Sequence, residues 1–134
     1  MNNGGMISAE LGLRLITPRE EAVLLTASLH YSEDDPYAVR FSFHVGLDEP
    51  VEWVFARELL DTGLEGPRGT GDVMIWPSAG GVLNLELSSP FGHARFEAPA
   101  TGISGFLRRT FEIVPAGQES RRIDIDTELN ELLR

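Results

Sequence analysis

The sequence predicts an α+β fold: a curved, mostly antiparallel sheet or barrel of about seven strands, followed by helices. Three observations carry that reading. Short runs that alternate apolar and polar residues recur from Ile7 to Ala98, the period of a half-buried strand. Brief turns rich in Gly, Pro, Asp and Ser separate them, which favours hairpins and a meander curling on itself. After Pro99 the period changes. Ile103, Phe106, Leu107, Thr110, Phe111 and Val114 then fall on one stripe of an α-helix.

The first strand places Ile7, Ala9, Leu11, Leu13 and Leu15 on one face, opposite Ser8, Glu10 and Arg14. Thr17-Pro18-Arg19-Glu20-Glu21 is a turn, and the second strand sets Val23, Leu25, Ala27, Leu29 and Tyr31 inward. Asp35-Pro36 opens the third, in which Tyr37, Val39, Phe41, Phe43 and Val45 alternate with Ala38, Arg40, Ser42 and His44. After a turn ending at Pro50, Val51, Trp53 and Phe55 repeat the pattern in a fourth strand. Ala56 to Gly63 reads as a short helix stopped by glycine. Phe43 and Trp53 are expected as core aromatics, whose truncation costs about 3–5 kcal/mol.

Leu64 to Thr70 is expected as a glycine-proline loop, and Gly71 to Trp76 as the fifth strand. The sixth strand, Val82 to Ser88, turns Leu83, Leu85 and Leu87 inward and Asn84 and Glu86 outward. The seventh sets Ala94, Phe96 and Ala98 against His93, Arg95 and Glu97. An amphipathic helix is expected near 102–114. Its Gly102 and Gly105 weaken it by roughly 1 kcal/mol each, so packing must hold it, and the glycines permit close approach to the sheet. Ile123-Asp124-Ile125 reads as extended, and a short C-terminal helix near 126–133 places Leu129, Leu132 and Leu133 on one side. Residues 1–6, MNNGGM, read as a flexible leader.

At 134 residues one domain with a substantial core is expected. The chain has no cysteine, which excludes disulfides and thiolate metal sites. No apolar run approaches the ~20 residues that span a bilayer, and no signal peptide opens the chain, so a cytoplasmic protein is expected. Acids outnumber bases 21 to 11, for a net charge of -10, and every base is arginine. That balance argues against nucleic acid, whose phosphates demand clustered positive charge.

No constellation in the chain marks catalysis. His30, His44 and His93 lie on the polar phase of separate strands; three histidines could hold zinc, but without a close-spaced ligand pair they read as solvated. Glu52, Glu58, Asp61 and Asp72 could include a pair for acid-base work, as any acid-rich surface could by chance. Ser88-Ser89 lacks the context of a hydrolase elbow. Gly66 to Gly71 lacks the order of a phosphate-cradling loop. No cofactor and no metal are expected. The remaining signal is apolar: Met74 and Trp76 share the second face of a strand whose first face carries Val73 and Ile75, and Phe91 sits at a turn. Either the long helix covers that face or it is a subunit or partner interface.

Six blocks of the chain carry a family resemblance: DPYAVRFSFH at 35–44, VEWVFARELLDTGL at 51–64, GTGDVMIWPS at 69–78, LSSPFGHARFEAPA at 87–100, FLRRTFEIVP at 106–115 and IDTELNELL at 125–133. In order and over nearly the whole length they resemble the SsgA-like sporulation and cell-division proteins of filamentous actinobacteria, most closely the SsgB branch. The resemblance implies one SsgA-like domain over 7–134, no enzymatic activity, and a "whirly"-like curved sheet. It also implies a homotrimer that recruits the tubulin-like division protein FtsZ to septum sites, with help from an SsgA-type relative and through a hydrophobic surface. The alternative is single-stranded nucleic-acid binding, which such a fold suggests and the charge opposes.

Overall fold

A computed structural model describes residues 5–46, 49–90, 92–120 and 129–133 of the chain. The elements run β1 (Met6–Ile16), β2 (Ala22–Ser32), β3 (Ala38–His44), β4 (Val51–Ala56), α1 (Arg57–Gly63), β5 (Arg68–Thr70), β6 (Val73–Ser78), β7 (Val82–Ser89), β8 (Gly92–Pro99) and α2 (Ala100–Ile113). All eight strands form one sheet in the order β4-β3-β2-β1-β8-β7-β6-β5, with every pairing antiparallel. The sheet curls into a half-barrel and stays open, since its two end strands are not neighbours.

The alternation read from the sequence sets the inner face. Leu13, Leu25, Ala27, Leu29, Val39, Phe41, Phe43, Phe55, Ile75, Leu83, Leu85 and Phe96 are buried in one cluster with Ile103, Phe106 and Leu107 of α2. Aromatic contacts tie its centre together: Phe41 meets Phe55 edge-on at 4.7 Å, and Phe43 stacks on Phe96 at 4.4 Å. Such pairs add about 0.5–1.5 kcal/mol beyond the area they bury.

Both helices lie against this inner face. At Gly63 an added Cβ would strike the Ile75 side chain, and at Gly102 it would stand 2.7 Å from Leu11 Cδ2. Close approach to the sheet therefore depends on Gly102, whereas nothing lies within 4 Å of a Cβ at Gly105.

Several expectations need correction. The segment read as a glycine-proline loop contains β5, a three-residue strand on β6. Its pairing is set by the two-residue turn at Gly71-Asp72, where Gly71 takes φ +55, the left-handed conformation such hairpin turns require. β1 begins at Met6, paired with Ser32, so the last residue of the expected leader belongs to the sheet. Val23, Tyr37, Val45 and Val51 fit the inward phase but are exposed, because they sit at or just beyond strand ends. Trp53 is half-buried. Asn84, expected outward, is buried.

Phe91, the 123–125 segment and residues 126–128 of the expected C-terminal helix lie outside the described residues. Within the rest of that helix, the Leu133 amide donates to the Leu129 carbonyl at 3.1 Å, and Leu129, Leu132 and Leu133 are exposed. Among the described residues no helix is long and apolar enough to cross a membrane.

Candidate interaction surface

β6 carries Val73 and Ile75 into the core and turns Met74 and Trp76 outward, as its alternation requires. Met74 is 44% exposed. Its register partners are Glu86 of β7 and Gly69 of β5. The Met74 sulfur lies where a Cβ on Gly69 would stand, so the thioether rests directly on bare backbone. Trp76 is only partly exposed and faces Asn84 across the β6–β7 pair. The helices pack on the Ile75 side of the sheet. The long helix does not cover Met74.

Asn84 owes its burial to this arrangement. Its amide nitrogen donates to the Trp76 carbonyl at 3.2 Å and to Ser78 Oγ at 3.0 Å, while its amide oxygen accepts from Arg95 at 3.0 Å. Arg95 also pairs with Glu20 and Glu97, each at 3.3 Å, and Glu97 with Arg14 at 3.0 Å. A buried amide costs free energy unless its donors and acceptor are all used, and here they are. The apolar pair Met74–Trp76 is thus bordered by a hydrogen-bonded polar network.

A second constellation joins residues far apart in the sequence. Arg57, first residue of α1, is 2% exposed. Its Nη1 donates to the Val114 carbonyl at 2.7 Å and the Thr110 carbonyl at 3.2 Å, capping the C-terminal end of α2, where carbonyls lack partners and the helix dipole is negative. The guanidinium centre lies 4.2 Å from the Phe111 ring and 5.2 Å from that of Tyr31. Nη2 forms a 3.3 Å ion pair with Glu119 but no aligned hydrogen bond. Tyr31 donates to the Pro36 carbonyl at 3.0 Å. Burial pushes its phenol up to about 12, with the Arg57 charge pulling the other way. Thr110 was the one available signal, a polar residue on an otherwise apolar stripe.

The residues considered for catalysis are scattered. Glu58 and Asp61 line a hollow of about 350 Å3 beside Arg57 and Glu119, whereas Glu52 lies on β4 and Asp72 in the β5–β6 turn. His30, His44 and His93 are on β2, β3 and β8, and no group of three metal-ligating side chains exists among the described residues. His44 Nε2 lies 2.9 Å from Ser28 Oγ; a nucleophile also needs an oriented base and an oxyanion site, and among the described residues the His44 ring donates no hydrogen bond to a carboxylate.

These features define a class: an eight-stranded antiparallel half-barrel, helix-packed within, with an apolar strip flanked by paired charges outside. Over residues 25–119 the chain matches the family described as Streptomyces sporulation and cell division protein, SsgA, and it belongs to that family. It is 57% identical to the sporulation-specific cell division protein SsgB of Thermobifida fusca over 98% of each chain. Against the SsgB of Streptomyces coelicolor it is 50% identical over 95% of each. The crystal structure of an SsgA-like sporulation-specific cell division protein from Thermobifida fusca superposes with a TM-score of 0.89, covering 98% of both chains. A solved structure described with SsgB mutations that correlate to longitudinal cell division during sporulation of Streptomyces coelicolor gives 0.84 at 47% identity, covering 91% of this chain and 98% of the other.

Proposed function

We propose that this chain acts in sporulation-specific cell division as a non-enzymatic positioning protein, cytoplasmic and gathered at the septum, that recruits the tubulin-like division protein FtsZ. It works as a homotrimer with an SsgA-type relative as helper, and Met74 and Trp76 contribute to a contact surface. The observation that carries this reading is the exposure of Met74 on the face of the sheet opposite α1 and α2. Apolar surface left open in this way supplies affinity on contact. The relatives named above, SsgB proteins of sporulation-specific cell division, support the setting. Single-strand binding on a whirly-like sheet is the weaker reading, because a net charge of -10 repels a phosphate backbone.

The test is a titration of the purified chain against FtsZ, with single-stranded DNA in parallel and a Met74→Ser/Trp76→Ser variant as control. Saturable FtsZ binding that the folded variant loses is the expected result. DNA binding without FtsZ binding overturns the proposal.

A further inference from the structure

We infer that a hollow of about 600 Å3 across one end of β1, β2 and β3 docks an acidic peptide segment of a partner protein, with Arg40 and Arg109 receiving its carboxylates. The site is distinct from the Met74 surface and goes beyond the function proposed above.

The sheet register builds its floor. Ser8 faces His30, His30 faces Arg40 and Arg40 faces Val54, so one outward row crosses four strands. Ile7 and Tyr31 of the inward phase line the hollow as well, together with Arg109 of the inner-face helix α2, so the hollow takes residues from both sides of this end of the sheet. Arg14, Arg57 and Arg95 are each committed to a carboxylate. Among the described residues Arg40 and Arg109, like Arg19 and Arg108, have no ion pair and no side-chain hydrogen bond; what sets Arg40 and Arg109 apart is that they line one hollow, in a chain with 21 acids to 11 arginines. Asp35 also lines the hollow and pairs with neither, so the local balance is positive inside a strongly negative molecule.

Charge complementarity selects an anion, and the walls select its kind. The guanidinium fork matches a carboxylate through two parallel hydrogen bonds. Met6 and Val54, 57% and 51% exposed, border the same space and offer a seat to an apolar side chain. A small inorganic anion leaves that apolar wall unused. A long polyanion meets the acidic remainder of the surface. A peptide carrying two acids and an apolar residue uses every wall, and its short run of charge stays within the positive zone.

The test is a selection of random 12-residue peptides against the full chain, with counter-selection on Arg40→Ala/Arg109→Ala. Both side chains are exposed, so the variant is expected to melt like the parent. Enriched peptides are expected to carry paired Asp or Glu with an apolar residue. Their synthetic copies are expected to bind saturably, about tenfold or more weaker to the variant, and to lose binding when the acids become Asn or Gln. Enrichment of basic peptides, equal binding to both proteins, or inorganic phosphate held as tightly as peptide overturns the inference. Because Met74 and Trp76 lie on β6, away from this hollow, failure here leaves the FtsZ reading untouched.

Discussion

Phe43 stacks on Phe96 with ring centroids 4.4 Å apart and planes 14° from parallel, although β2 and β1 lie between their strands. In a flat sheet three strand spacings would hold the two rings about 14 Å apart. The contact exists because the sheet curls, and it ties the first three strands to the later half of the barrel. Phe43→Ala is expected to cost about 3–5 kcal/mol. Trp53→Ala, at a half-buried position, is expected to cost about 1–2 kcal/mol. Urea melts of the two variants give the comparison, and equal losses would contradict the assignment of the core.

Arg57 makes the second long-range tie, from the start of α1 to the end of α2. Arg57→Ala strands the terminal carbonyls of α2 and the Glu119 carboxylate, and is expected to cost about 3–5 kcal/mol. Arg57→Lys keeps the charge but loses the fork and the flat stacking surface, so it is expected to recover only part of that loss. Denaturant unfolding of both variants measures the difference.

Two glycines of α2 are expected to respond differently to alanine. Gly105→Ala enters open space and is expected to stabilise by about 0.5–1 kcal/mol through helix propensity and a less flexible unfolded chain. Gly102→Ala must displace Leu11 Cδ2, which offsets the same gain. Thermal melts are expected to rank Gly105→Ala above the parent and Gly102→Ala below Gly105→Ala.

The Tyr31 phenol sets an alkaline limit. Its pKa is raised from 10.0 to about 12 in the fold, so the folded chain keeps a proton that the unfolded chain releases. That contribution is fully present below pH 10 and is lost as pH rises toward 12, with a slope approaching about 1.4 kcal/mol per pH unit between them. Stability measured against pH for the parent and Tyr31→Phe tests this, as does the difference in their absorbance titrations at 295 nm. Parallel curves would refute it.

Met74→Ser removes an exposed side chain and is expected to change stability by no more than about 0.5 kcal/mol. Its effect belongs to association. Sedimentation and FtsZ titration of a normally folded variant are expected to show weakened assembly or partner binding.

Much of the fold was legible because a strand declares its faces locally. Leu83, Leu85 and Leu87 alternate with Asn84 and Glu86, and the first three are buried. The helix stripe from Ile103 to Val114 is likewise buried where its spacing places it, with Phe111 partly so. β5 was missed because three residues between glycines and a proline carry no period to read. Met74 and Trp76 were recognisable as a second apolar face, but not as a face left uncovered by the helices. Arg40 and Arg109 stand far apart in the chain, and nothing in their local context announces a shared hollow.

The sequence by itself determined the order of the two helices and of every strand but β5, the inward face of those strands and the stripe of α2, because side-chain periodicity is a property of neighbouring residues. The tertiary structure alone decided that Val51 is exposed while Asn84 is buried, that Arg57 closes a helix remote in sequence, and that Phe43 reaches Phe96. Each of these depends on how far the sheet curls and what lies across it. Curvature and cover arise from contacts between distant segments, and no local period encodes them.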